Sequence, residues 1–482
     1  MKRIKLIIFT GLLVLAASCK QYLDVVPDNV ATIDNAFSSR VEAERYLYTC
    51  YSYLPDEGNV AGNPAFNAGD EFWFPNPLRN VDENAWQIAR VNQNIVQPYM
   101  NFWAGDRGGK ALYKGIRDCN IFLENVDKVV DLQPFLKTRW IAEVKFLKAY
   151  YHFYLFRMYG PIPVIDVNAP ITATADEVQK PREPVDKVVQ YIAGLLDEAA
   201  ADLPLTIQDG ASELGRVTRP VALAIKARLR MFASRPLFNG NTDFSGFKSK
   251  DGTLLFNSSY DPVKWDSAVV ACREAIASCE AAGIRLYHFT ENTYNISDTT
   301  RREISLRGSV TERWNTEVIW GASNSRANNL QQLALARIDP ARGDNLAIIS
   351  MLAPTMKMAE LFYSNNGVPI TEDKDWNYAQ RNNLRIAKSD EKYYIKEGYQ
   401  TAELNFDREP RFYSSRGFDG GIWWMASKPD DKDTWMVQAK IKQAAGRLES
   451  SRFSITGYWP KKLVNKNLVI NDGQTVTLEE YP

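Results

Sequence analysis

Histidine is almost missing from this 482-residue chain, which holds two, His152 and His288. Two imidazoles nearly exclude a multi-histidine metal centre, and they leave little for histidine-based acid or base chemistry. His152 lies between charged and aromatic positions of a strong helix, so a structural role is expected of it. Net charge is missing too, because 58 basic and 58 acidic residues cancel. That balance argues against a nucleic-acid partner held by counterion release. Cysteine is scarce: beyond Cys19 there are Cys50, Cys119, Cys272 and Cys279, too few and too scattered for a disulfide scaffold. Cys272 and Cys279 share the helical stripe Trp265, Val269, Cys272, Ile276, Cys279 and are separated by roughly 10 Å along a helix, beyond disulfide reach. They are expected to act as small core hydrophobes. The signatures G-x-S-x-G, H-E-x-x-H and G-x-G-x-x-G do not occur. The stretch Gly105 to Ala111 resembles a phosphate loop faintly, but its first glycine is misplaced and Ala111 stands where a Ser or Thr would hold magnesium. Neither a cofactor nor a metal is therefore expected, and no catalytic residue is assigned. A glycosidase carboxylate pair is not legible in spacing, since its two members meet only in space.

Long hydrophobic runs are also lacking. The longest opens the chain: Lys2, Arg3 and Lys5, then the apolar stretch Leu6 to Ala17, then Ser18-Cys19. This run is far shorter than the roughly 20 residues needed to cross a bilayer, and it fits the core of a secretory signal over residues 1–18. Ala16-Ala17-Ser18-Cys19 resembles a lipobox, which makes Cys19 the expected lipid anchor and attaches an otherwise soluble chain to a membrane.

Helical periodicity fills much of the remainder. Gln133 to Tyr159 places Trp140, Val144, Leu147, Tyr151, Tyr154 and Met158 on one stripe and stops at Gly160-Pro161. Val185 to Ala201 repeats the pattern, Thr218 is placed to cap a helix through Val221, Ile225, Leu229 and Phe232, and Asp261-Pro262 opens another that Gly283 closes. Ser39 with Glu42 forms a capping-box pattern for a helix to about Leu54, and Lys110 to Val130 is a further helix. The fold class is mainly α: a TPR-like helical-hairpin scaffold (about 36–55, 108–238 and 261–283) with a loop-rich lobe (about 56–107 and 284–460) within one unit spanning 19–482. Short strands are expected at Glu317 to Trp320 and Phe453 to Ile455, and a hairpin where Leu468-Val-Ile turns through Asn471-Asp-Gly into Gln474-Thr-Val-Thr.

Three stretches break the helical pattern, 56–107, 238–260 and about 286–355, and are rich in Asn, Asp, Gly, Pro and aromatics. Loops of this length are usually functional. Flat aromatics beside polar side chains suit a sugar, which has an apolar C–H face and a hydroxyl edge. Asp70, Trp73, Arg79 and Trp86 are the first expected ligand group, with either tryptophan as platform. Tyr294, Trp314, Arg326 and Asn328 are the second, and Trp423-Trp424 is a weaker one. Trp103, Trp140, Trp265 and Trp320 are expected in the core.

Blocks in a set order resemble the SusD/RagB-like family. They are Tyr22-Leu-Asp-Val-Val-Pro27, Ala111-Leu-Tyr-Lys-Gly-Ile-Arg-Asp-Cys-Asn120, Ala142-Glu-Val-Lys-Phe-Leu-Lys-Ala-Tyr150 and Tyr159-Gly-Pro-Ile-Pro163. Gly215-Arg-Val-Thr-Arg-Pro-Val-Ala222, Ala233-Ser-Arg-Pro-Leu-Phe238, Pro354-Thr-Met-Lys-Met-Ala-Glu-Leu-Phe362, Asp407-Arg-Glu-Pro-Arg-Phe412 and Thr456-Gly-Tyr-Trp-Pro-Lys-Lys462 follow. The family continues into a helix with an Arg-x-Ala-Glu-x-Tyr-Leu type motif, whereas this sequence stops at Pro482 and is expected to be a truncated copy. The resemblance implies a non-enzymatic, lipid-anchored protein on the outer face of the outer membrane. Such a protein binds oligosaccharides or other nutrients and delivers them to a SusC-like TonB-dependent transporter. A secreted glycan-active hydrolase and a protein-binding helical adaptor are the competing readings.

Overall fold

Apolar residues at helical spacing become helices in the computed structural model, which describes residues 33–60, 62–75, 84–323, 325, 327–448 and 452–481. The expected signal segment, Cys19, Arg79 and Arg326 lie outside the described residues. The scaffold comprises α1 (Arg40–Tyr51), α2 (Leu112–Asn125), α3 (Pro134–Tyr159), α4 (Val185–Asp202), α5 (Arg219–Ser234) and α6 (Val263–Ala281). Ser39 Oγ accepts the Glu42 N–H at 3.4 Å to open α1. Glu42 turns instead to Arg45 at 2.6 Å, so only half of the capping box forms. Thr218 stands at the start of α5, but its side chain makes no capping bond there. Pro134 and Pro220 sit in first turns, where a missing N–H removes no helical bond. Gly160, with φ +69, ends α3.

Each helix packs on the next in chain order, α1 on α2 through to α5 on α6, which gives a TPR-like array. α3 is its axis and is buried almost all round from Trp140 to Phe156. A buried charge at its centre joins three chain segments. Glu143 accepts Arg216 Nε and Nη2, both at 3.0 Å, Arg139 Nε at 2.9 Å and Tyr51 Oη at 2.7 Å. This bidentate pair connects the Ala142–Tyr150 and Gly215–Ala222 blocks. About two and a half turns further along, burial lowers His152 to about 4. The ring is neutral, because its Nδ1 bonds Lys148 O at 2.8 Å while Nε2 accepts the Ile165 N–H at 3.2 Å. The expected structural role of His152 is what the packing shows.

α6 reverses an expectation. It buries Ala268, Ala271 and Ala275 against Ala227 and Leu223 of α5. The larger stripe points outward: Trp265 is 41%, Val269 48% and Ile276 57% exposed, and Cys272 and Cys279 are half-buried free thiols rather than core. The helix is apolar on two faces, and alanines let the helix axes approach closely, so the small face docks. Trp103 also departs from its expected place. It is 36% exposed, with its ring 4.6 Å from Tyr113 and Arg182 5.7 Å above it. Trp140 is buried, and Trp320 is half-buried with Nε1 donating to Gly215 O at 3.0 Å.

The second lobe is held by short antiparallel strand pairs and irregular chain. Its core gathers Phe74, Trp86, Leu333, Leu352, Trp423 and Trp459. The stretch read as loop from 286 to 355 contains α7 (Asp298–Thr311) and α8 (Ala327–Ala334). Periodicity misses α7 because the face it buries is mostly polar: Thr300, Glu303, Arg307 and Thr311 beside Ile304. Buried Lys461 donates to Glu303 at 2.7 Å, and Arg307 donates to Trp424 O and Val464 O at 2.8 and 3.1 Å. Such groups are stable inside only when paired. Glu317–Trp320 and Phe453–Ile455 are not strands. The hairpin does form, β9 (Val469–Ile470) pairing with β10 (Val476–Thr477).

Candidate functional site

β1 (Phe72–Trp73) pairs with β2 (Ala353–Pro354), Phe72 opposite Pro354 and Trp73 opposite Ala353. Thr355 extends the join, donating its N–H to Glu71 O at 3.0 Å and its hydroxyl to Asp70 O at 2.9 Å. Asp70 and Trp73 of the first expected ligand group therefore stand on a fixed edge, but Trp73 and Trp86 turn toward the core. Trp86 is 4% exposed, 4.4 Å from Trp73 and 5.3 Å edge-on to Phe74. Trp86 is thus a core pin: a ring with both faces covered offers no platform. Trp73 is half-buried in the same cluster, while Asp70 is exposed and 3.6 Å from Lys357 Nζ.

The described members of the second group do not join those of the first. Tyr294 packs 5.1 Å from Trp424 and 6.0 Å from Phe289. Trp314 is half-buried at a left-handed φ of +51, and Asn328 is exposed on the outer face of α8. Among the described residues, no hydrogen bond or ring contact links these three to Trp73 or Trp86. Trp423 and Trp424 are buried, at 0% and 1% exposure, and do not face solvent.

A cavity of about 570 Å³ opens nearby, at Pro75, two residues beyond Trp73. One wall follows the pair β6 (Ile422–Trp423) and β7 (Trp435–Met436) into the turn 437–447. Gln443 pins that turn: its Oε1 accepts the Lys440 N–H and the Tyr399 hydroxyl, both at 3.0 Å. Burial and the bond to Asp419 push the Tyr399 phenol well above its ordinary value, so it stays a neutral donor. Gly446 is required where the turn closes, since a Cβ there would lie 2.3 Å from Lys440 O. The opposite wall is built on β5 (Gly417–Phe418) paired with β8 (Tyr458–Trp459). Thr456 Oγ1 donates to Pro354 O at 2.7 Å and ties this wall to β2. Trp459 is the buried floor, its Nε1 donating to Ser350 Oγ at 2.7 Å.

The rim carries Ile441, Ile455, Phe453 and Arg447, whose guanidinium lies 5.0 Å from the Phe453 ring centroid. A half-buried aromatic face, aliphatic edges and a free fork of N–H donors can hold a ring that is apolar on one face and polar at its edge. None of the described residues expected from sequence lines this cavity. Phe453 and Ile455 have the local pattern of a strand, and Arg447 has no local signature. A larger cavity of about 720 Å³ lies over α2, α3 and α4. Most of its charges are already matched, with Lys148 on Asp166 at 3.2 Å, Tyr191 on Asp166 at 2.9 Å and Lys145 on Glu198 at 2.7 Å. Among the described residues, no three His, Cys, Asp or Glu side chains are grouped to hold a metal. No described helix is long and apolar enough to cross a membrane.

Comparison with known proteins accounts for this architecture. Residues 21–231 match a SusD-like family described as "Starch-binding associating with outer membrane", and residues 316–481 match the SusD family. SusD-like protein P25 of Formosa agariphila is 22% identical over 234 residues, an alignment covering 48% of this chain and 43% of that relative. The solved structure of BT4246 superposes with a TM-score of 0.74 at 26% identity, over 92% of this chain and 76% of that one. A SusD-like protein from Bacteroides fragilis gives 0.62 at 17% identity, over 93% and 74%. Another from that organism, described as a SusD-like carbohydrate binding protein, gives 0.55 at 19%, over 92% and 72%. The helical array, the lobe built upon it and two family matches covering most of the sequence agree: this chain belongs to the SusD/RagB family.

Proposed function

We propose that this protein binds oligosaccharides at the bacterial cell surface, without turning them over, and passes them to a SusC-like TonB-dependent transporter. In this reading Cys19 carries the lipid that holds it to the outer membrane. The observation that carries the proposal is the cavity of about 570 Å³ beside β1, set on the scaffold of a family described as starch-binding. Its volume falls in the range of small-ligand sites. Stacking on Phe453 contributes on the order of 0.5–1.5 kcal/mol, and each charge-assisted bond from Arg447 about 1.5–3 kcal/mol. After the entropy of binding is subtracted, the affinity is modest, as suits a protein that must release its ligand.

Native gels cast with a panel of polysaccharides test the binding step. Retarded migration, weakened in Phe453→Ala and without new reducing ends in solution, is the expected result. Turnover of any retarding glycan would overturn the non-enzymatic reading, and unretarded migration across the panel would overturn binding. Co-purification of the tagged, lipidated protein with a large β-barrel from its own outer membrane tests delivery. Recovery of the protein alone under mild detergent would count against it.

A further inference from the structure

The turn that walls the cavity has an unusual charge inventory. Thr434 to Leu448 contains Lys440, Lys442 and Arg447 and not one Asp or Glu, in a chain whose basic and acidic residues are equal in number. Several cations elsewhere in the lobe are paired, as Arg385 is with Glu391, Glu403 and Asp407, and Lys466 with Glu312. These three make no ion pair with any described carboxylate. Among the described residues, Arg447 lies 5.0 Å from the Phe453 ring centroid and Lys440 lies 4.0 Å over the Tyr399 ring. Asp419, the described acid that touches this turn, accepts the Tyr399 hydroxyl and the Ala439 N–H on Oδ1, both at 2.8 Å, and supplies one negative charge against the three positive ones. Of these three cations Arg447 alone lines the cavity, and the rest of the described lining, Trp459 included, holds no carboxylate.

A net positive wall beside a concave, partly apolar site raises the local concentration of anions and repels cations. A guanidinium stacked on an aromatic ring keeps its N–H edge free and pre-oriented, the geometry that receives a carboxylate or sulfate in a two-point bond. We infer that the sugar taken by this cavity is anionic, a uronate or sulfated residue whose acidic group is received by Arg447 while its ring lies against Phe453. This rests on the glycan-binding reading above and adds the class of glycan to it. Lys440 and Lys442 steer the polyanion without needing fixed contact, and Ile441 and Ile455 cover the apolar edge of the bound ring.

Affinity measurements on polygalacturonate, dextran sulfate and neutral dextran separate the outcomes. Binding to one or both anionic polymers and little to the neutral one is expected, and which polymer binds tells uronate from sulfate. Arg447→Gln should weaken that binding roughly 10- to 100-fold, the loss of one charge-assisted contact, and should flatten its dependence on salt. Lys187→Gln, an exposed charge on the helical scaffold, should leave affinity unchanged. Arg447 is exposed, so far-ultraviolet circular dichroism of its variant should match the parent. A neutral glycan bound as tightly as the acidic ones, or equal losses from Arg447→Gln and Lys187→Gln, would overturn the anionic inference and leave glycan binding standing. No retention on any polymer, charged or neutral, would instead sink the glycan reading itself.

Discussion

Lowering the pH should loosen the helical scaffold at one identifiable atom. His152 is fully buried in α3, and Nε2, which accepts the Ile165 N–H at 3.2 Å, cannot take up a proton without turning a hydrogen bond into a donor–donor contact. Burial lowers the imidazole from 6.5 to about 4. The unfolded chain therefore binds a proton from about pH 6.5 downward, while the folded protein refuses it until about pH 4. Stability from this group is present in full above 6.5, falls through that window and is lost below it. The difference of 2.5 units at 1.36 kcal/mol each comes to about 3 kcal/mol. His152→Gln keeps an acceptor for Ile165 and removes the titration. Urea unfolding followed by helical circular dichroism, for parent and variant from neutral pH to about 4, isolates the effect, because the carboxylates titrate alike in both. The variant should start less stable and lose about 3 kcal/mol less on acidification. Parallel pH profiles would refute the assignment of His152 as a buried neutral imidazole.

Other substitutions check other parts of the structure. Glu143→Gln removes the bidentate partner of the buried Arg216, which keeps Glu213 at 3.0 Å, and should cost about 3 kcal/mol, the low end for a broken buried pair, whereas Glu198→Gln, in an exposed pair with Lys145, should cost under about 1 kcal/mol. Equal losses in urea titrations would show that the Glu143 network is not buried as described. Trp86→Ala should cost about 3–5 kcal/mol as a core deletion, while Asp70→Asn should be nearly silent; a freely tolerated Trp86→Ala that abolished glycan binding would restore Trp86 as a ligand platform. Gly446→Ala should open the turn at Lys440 O, with about 1–3 kcal/mol of strain, and glycan affinity should fall more than the unfolding midpoint moves. Unchanged affinity would mean that this wall does not touch ligand.

The scaffold was legible in the sequence because long helices with one apolar face announce themselves locally: α3 begins and ends within a residue of the Gln133–Tyr159 reading. The hairpin at 469–477 was legible for the same reason, since Asn-Asp-Gly specifies its own turn. Family membership was legible as block order, and the structure supplies a cause for two of those blocks in the Glu143–Arg216 pair. Tertiary structure alone decided whatever depended on a choice among neighbours. α6 offered two apolar faces, and only α5 selected the alanine one. α7 hid from hydrophobic patterning because its buried face is satisfied by Lys461, Asp431 and backbone carbonyls brought from more than a hundred residues away. Trp86 looks the same in sequence whether its ring meets sugar or Phe74. The cavity at Pro75 joins chain segments from 75 and from 439 to 459, so composition named aromatics and arginines as the chemistry of the site, while the strand pairs and the turn closed by Gly446 determined which of them face solvent together.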